Sequence, residues 1–181
     1  MLYGTTVRLR AVERADAALL ARWLNDPEVR RWRLAYLPVS TEHEARWLER
    51  QAQRGDELAF IIQVPAGDGW RAIGSADLHA IDRQNGVAGY RITIGEPDSW
   101  SRGYGSDATR TVLAFAFGEL NLHRVELGVL AGNARARRCC EKAGFRLEAV
   151  RRAVLFRDGR YHDECLMAVL REEFCAATPC V

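Results

Sequence analysis

Arg102-Gly103-Tyr104-Gly105-Ser106 stands at the start of a long segment of helical apolar periodicity. Two glycines without a Cβ let the backbone bend and bring its N–H groups close to a ligand. The first turn of a helix adds unpaired N–H donors and a partial positive charge. Together these make a seat for a phosphate or pyrophosphate, with Arg102 as a full positive charge at its rim. The same residues also read as a glycine-rich turn that only starts a helix. A second segment runs from Asn133 to Phe145. Asn133 offers a side-chain amide at a helix start, where N-capping alone is reason enough for it. Glu141-Lys142-Ala143-Gly144-Phe145 is a helix stop, with Gly144 just past the last turn. Cys140 follows Asn133 by two turns and falls on roughly the same face.

Gly103-x-Gly105-x-x-Ala108 also satisfies the dinucleotide-binding pattern, with Glu126 near its acidic position. That pattern belongs directly after a strand that opens a parallel βαβ array. Here Glu96 to Arg102 intervenes and antiparallel hairpins come first, which weighs against a nicotinamide or flavin enzyme.

The elements that must position these residues follow from periodicity. Thr6 to Ala11 alternates as a half-buried strand. Asp16 begins a helix carrying Leu19, Leu20, Trp23 and Leu24, and Asn25-Asp26-Pro27 stops it. Ser40 or Thr41 starts a second helix after a basic, aromatic stretch. Leu58 to Val64, Trp70 to His79 and Val87 to Gly95 read as an antiparallel meander, with turns at Pro65 to Gly69 and Asp82 to Gly86. Ser106 to Leu120 is a helix broad enough in its apolar face to lie on a sheet. Arg124 to Leu130 is a strand, Asn133 to Ala143 a helix, and Phe145 to Ala153 pairs with Tyr161 to Leu170 as a final hairpin. The expected class is α+β: one mixed, mostly antiparallel central sheet with flanking helices. Residues 1–175 make a single domain, followed by a loose tail at 176–181.

The 181 residues suit one domain, and 48% apolar with 28% charged residues is ordinary for a globular chain. Lys plus Arg is 26 against 24 for Asp plus Glu, a formal net charge of +2. Nothing in that balance drives the whole chain toward nucleic acid or an anionic membrane. No secretory signal opens the sequence and no apolar run is long enough to span a bilayer. The five cysteines read as free thiols in a reducing cytoplasm. His43, His79, His123 and His162 are dispersed without ligand spacing, so no metal is expected.

Arg102-Gly103-Tyr104-Gly105, Leu122-His123-Arg124-Val125-Glu126-Leu127, Asn133-x-x-Ala136 and Glu141-Lys142-Ala143-Gly144-Phe145 occur in order and at set spacing. That ordered set resembles the GNAT superfamily of acetyl-coenzyme A dependent N-acetyltransferases. It is most similar to the ribosomal-protein N-terminal acetyltransferases (RimJ/RimL-like). Val7-x-Leu9-Arg10, Trp23-x-Asn25-Asp26-Pro27-Glu28-Val29, Trp100 and Asp158-Gly159-x-Tyr161-His162-Asp163 extend the likeness over nearly the whole chain. The resemblance implies two central parallel strands, Val87 to Gly95 and Arg124 to Leu130, that splay apart around acetyl-coenzyme A. It assigns the pyrophosphate to the N–H groups of Arg102, Gly103, Tyr104, Gly105 and Ser106. It assigns the pantetheine to the strand edge at Ile92, Thr93 and Ile94, and to Asn133. Two departures from the family pattern stand out. Asp107 replaces a small residue and is expected to point outward, and Cys140 replaces a tyrosine that protonates the leaving thiolate in relatives. Cys140 is then either a proton donor or an inert buried thiol.

The implied reaction is attack of a primary amine on the thioester. A peptide α-amine, with a pKa of about 7.7–8.0, is partly neutral at pH 7, whereas lysine at about 10.4 needs a base. The strand Val87 to Gly95 carries no carboxylate, so Asp77, His79 and Glu126 are the candidate bases. The missing strand base favours an α-amine, or a small amine of low pKa, over lysine, and a protein or peptide α-amine is the expected acceptor. A small amine, an antibiotic or a toxin is the alternative acceptor, and a non-catalytic coenzyme A-binding module on the same fold is a third reading. Trp32, Tyr36, His79 and Tyr161 are expected to wall the acceptor pocket. The arginines Arg30, Arg31 and Arg33, if they line it, repel polyamines and suit neutral or acidic acceptors. The chain is expected to act as a monomer or homodimer.

Overall fold

The computed structural model describes residues 1–35 and 37–177, so Tyr36 lies outside the described residues. Among the described residues, eight strands form one sheet in the order β1-β2-β3-β4-β5-β6-β8-β7. They are β1 (Leu2–Tyr3), β2 (Arg8–Ala11), β3 (Leu58–Ala66), β4 (Gly69–Asp82), β5 (Val87–Ile94), β6 (Arg124–Leu130), β7 (Arg146–Arg157) and β8 (Arg160–Leu170). The helices are α1 (Ala17–Asn25), α2 (Pro27–Arg30), α3 (Thr41–Arg54), α4 (Tyr104–Gly118), α5 (Ala134–Lys142) and α6 (Arg171–Ala177). Among the described residues, no helix is long and apolar enough to cross a membrane.

Helices cover both faces of the sheet, and adjacent residues of β3 record it. Ile61 and Ile62 are both fully buried and, one step apart on a strand, face opposite ways. Ile61 packs with Leu20, Trp23 and Leu48 of α1 and α3. Ile62 joins the larger core under α4, with Ala108, Val112, Leu113, Ala116 and Phe117.

The gap that matters lies between β5 and β6. They pair in parallel only at Val87↔Arg124, Ala88↔Val125 and Gly89↔Glu126. Beyond Gly89, β5 keeps β4 on one side through Gly74↔Ile94, and β6 keeps β8 through Leu130↔Glu164. Their facing edges from Tyr90 and Leu127 onward have no strand partner, so the sheet opens there.

Several boundaries depart from the sequence expectations. Asn25-Asp26-Pro27 ends α1 and also begins α2, because Asp26 accepts the N–H groups of Glu28 (2.8 Å) and Val29 (3.1 Å). Helix α4 starts at Tyr104 rather than Ser106. Ala176 and Ala177 of the expected tail still belong to α6, which packs buried Phe174 against Phe117 (5.5 Å between centroids); residues 178–181 of that tail lie outside the described residues. Cys139, Cys140 and Cys165 are free thiols, but Cys175 is disulfide-bonded, which corrects the expectation of thiols throughout.

Candidate active site

Gly103 takes a left-handed conformation (φ 86°), open only to glycine without strain, and so turns the chain into α4. The first helical bond runs from the N–H of Asp107 to the carbonyl of Gly103 (3.0 Å). The N–H groups of Tyr104, Gly105 and Ser106 therefore have no carbonyl one turn back. They border a cleft of about 350 Å³. Ile92, Thr93 and Ile94 of β5 form one wall, and Asn133, Ala136 and Cys139 of α5 form the opposite one. The end of β5 is tied down by the indole N–H of Trp100, which donates to the carbonyl of Ile94 (2.8 Å). A Cβ on Gly105 would stand 3.1 Å from Cys139 Sγ, so the two helices approach closely because that residue is glycine.

Asn133 caps α5 by accepting the N–H of Ala136 (3.1 Å) while bordering the cleft. Capping and the candidate ligand role coexist in one side chain. Arg135, Arg138 and Lys142, spaced on one face of α5, add positive charge to the same cleft. Arg135 stacks on Trp100 at 3.7 Å. A helix N-terminus, an unpaired strand edge and three cations suit a diphosphate carrying an amide-rich arm. The groups present therefore fit coenzyme A.

A second cavity of about 210 Å³ lies on the other side of the end of β5. Thr93 and Arg33 border both cavities, so the two meet there. Its charged wall consists of Arg33, His43, Glu44, Asp77 and Arg91, and Leu20, Leu24 and Trp47 supply apolar surface. Asp77 is engaged: Arg91 donates to it at 2.9 Å and His79 Nδ1 lies 3.0 Å away. Glu44, in the first turn of α3, is 6% exposed, and its carboxylate meets no hydrogen-bond or ion-pair partner among the described residues. Burial pushes its carboxyl above the usual range, against the pull of the His43, Arg33 and Arg91 charges. Burial and the neighbouring Arg91 push the Arg33 guanidinium down.

The candidates named from sequence divide. Ile92, Thr93, Ile94, Gly103, Tyr104, Gly105, Ser106 and Asn133 converge on the first cleft, and Asp77 on the second cavity. Arg102 does not line the cleft. It is solvent-exposed on the turn between the left-handed residues Ser101 and Gly103. Cys140 is buried in the core and borders neither cavity. The cleft face of α5 is centred on Arg135, Arg138 and Lys142, and the short thiol of Cys140 points away from it. Burial pushes that thiol up to about 12. Glu126 is exposed on β6 and accepts from Arg124 (3.0 Å). His79 borders neither cavity. Tyr161 is 67% exposed at the end of the β7–β8 hairpin, against Phe156. Trp32 borders the first cleft instead of the second cavity. Asp107 is buried and faces the amino-terminal segment, contrary to the outward expectation. Sequence reasoning passed over Glu44, and over Arg135 and Lys142 in the stripe Arg135, Arg138 and Lys142. The spacing of that stripe and the status of Lys142 as the sole lysine were the available signals.

Residues 6–146 match the family model described as acetyltransferase (GNAT) domain. A prophage-derived N-acetyltransferase of Bacillus subtilis, YokL, is 30% identical over 94% of this chain and 93% of its own length. A putative ribosomal N-acetyltransferase of the same organism, YdaF, is 32% identical over 93% of both chains. Among solved structures, spermidine N-acetyltransferase from Vibrio cholerae in complex with CoA and spermine superposes with a TM-score of 0.85. It is 24% identical, over 94% of this chain and 98% of that one, a likeness of fold.

Proposed function

The chain belongs to the acetyltransferase (GNAT) family and is an acetyl-coenzyme A dependent N-acetyltransferase; from that premise we propose that its acceptor is the α-amine of a peptide or protein N-terminus. The observation that carries the proposal is the meeting of two cavities at Thr93 and Arg33, across the opened end of β5. On this reading the diphosphate sits at the start of α4, and the thioester arm runs along Ile92 to Ile94. The acceptor enters from the side of Glu44. The amine nitrogen bonds to the acetyl carbon, the carbon–sulfur bond breaks, and the thiolate leaves and takes up a proton. Glu44 is the carboxylate free to receive the amine proton, since Asp77 is held by Arg91. Residues 1–175 act as one catalytic domain.

The ribosomal name of one relative and the RimJ/RimL-like motifs favour a protein terminus. A small-amine acceptor is the second reading, favoured by the spermidine-acetylating structural neighbour. The arginines of the second cavity weigh against a polycation, which would meet like charge there. Thiol release from acetyl-coenzyme A over a panel of peptides, polyamines and aminoglycosides tests the proposal. Turnover on peptides supports it, and turnover confined to polyamines or aminoglycosides replaces it with the second reading.

A further inference from the structure

The second cavity holds an arginine and a carboxylate that do not meet. The Arg33 guanidinium makes no hydrogen bond or ion pair with any described residue, and neither does the carboxylate of Glu44. Asp77 and Arg91 of the cavity, and Arg157 beside it, are engaged. Arg91 holds Asp77 at 2.9 Å and reaches Glu57 at 3.5 Å. Arg157 donates to the carbonyls of Arg30 (3.2 Å), Arg31 (2.9 Å) and Leu34 (3.4 Å). That last set explains why Arg33 does not fold onto Glu44. The β7–β8 hairpin clamps the loop on both sides of Arg33, while Glu44 is fixed in the first turn of α3.

Two unpaired, partly desolvated charges of opposite sign, held apart in one cavity, are complementary to a molecule that carries both. We propose that the acceptor bears a carboxylate close to its reacting amine, with the carboxylate paired to Arg33 and the amine held at Glu44. This rests on the α-amine reading above and specifies the group beside that amine, on a peptide or on a free amino acid. A cavity of about 210 Å³ admits one residue-sized group and falls short of the usual drug-sized pocket. A guanidinium suits a carboxylate through paired N–H donors. A polyamine satisfies Glu44 alone and sets its remaining charges against Arg33 and Arg91. The chemistry is common to a free amino acid and to a peptide with an acidic side chain at its first residue.

Matched acceptor pairs separate these sources and test the proposal. One arm compares free amino acids with their C-terminal amides, at equal concentration of neutral amine. The other compares peptides beginning with an aspartyl or an asparaginyl residue. The readout is the acid-to-amide ratio of kcat/KM for thiol release, which does not depend on the fraction of enzyme folded. Wild type is expected to favour the acid about 10- to 100-fold in one arm, the size of a charged hydrogen-bond pair. Arg33→Gln brings the ratio near unity, and Arg33→Lys retains part of it. A wild-type ratio near unity with good turnover of the amides overturns the proposal and leaves acetyl transfer to amines standing. A ratio preserved in Arg33→Gln overturns it too. Thiol release with no amine of either arm, nor with any polyamine, sinks the acetyl-transfer reading itself.

Discussion

The carboxylate of Asp107, in the first turn of α4, accepts the backbone N–H of Thr6 at 2.6 Å and its hydroxyl at 2.8 Å. Thr5 and Val7 donate backbone N–H groups to the same carboxylate. Asp107 thus ties the amino-terminal segment to the helix whose start borders the cofactor cleft. Burial works to raise its carboxyl, but the four donors outweigh it and hold the group below the usual aspartate value. Stability from this site is present above the unfolded aspartate pKa of about 3.9, and is lost as pH falls through the lower folded value. Asp107→Asn is expected to cost about 2–3 kcal/mol at neutral pH. That difference shrinks on acidification below the folded value. Urea midpoints measured for both proteins across pH check it, and a constant gap would refute the assignment.

Glu44 carries the opposite sign. Its carboxyl is raised by burial, so its ionised form opposes folding as pH rises above the ordinary glutamate value of about 4.3. Catalysis needs that ionised form, so kcat/KM falls as pH drops through the raised value. Glu44→Gln should lower kcat/KM about 100-fold while leaving Tm at neutral pH unchanged or higher. A loss of both in proportion would make Glu44 a packing residue.

Cys140 sits in the core at 3% exposure, away from both cavities. Cys140→Ala is expected to cost about 1 kcal/mol in stability and to keep kcat within about twofold. A drop in kcat of a hundredfold, with the folded fraction held constant, would restore the thiol as a proton donor.

The cations of α5 should act through the phosphates. Arg138→Gln and Lys142→Gln are each expected to weaken acetyl-coenzyme A binding several-fold at low salt, and the difference should largely vanish at 1 M. Equal affinities at low salt would place the phosphates elsewhere.

Most of the fold was legible, because β3, β4, β5 and β6 alternate or run apolar between clear turns, and α4 carries a broad apolar face. The ordered glycine and asparagine motifs likewise located the first cleft. What escaped depends on long-range geometry. Glu44 looks like any acid in the first turn of a helix, and nothing local to α3 says that it faces β5. Asp107 was misread because its partners are about 100 residues away in sequence. The face of Cys140 was misread because counting turns from Asn133 ignores that the cap residue is outside the helix (φ −85°, ψ 69°), which breaks the phase; its burial agrees with the inert-thiol alternative. The rim charge expected of Arg102 fails because its side chain is exposed on the turn, outside the cleft lining.

The central claim is that acetyl-coenzyme A lies at the start of α4 and along the unpaired edge of β5. Calorimetric titration of acetyl-coenzyme A into wild type, Gly105→Val and Asn133→Ala tests it most directly. Unfolding curves confirm that each variant is folded; loss of the Asn133 cap costs about 1 kcal/mol. The account predicts that wild type binds and that both variants lose at least about tenfold in affinity, roughly 1.4 kcal/mol. Affinity unchanged in both folded variants would contradict it.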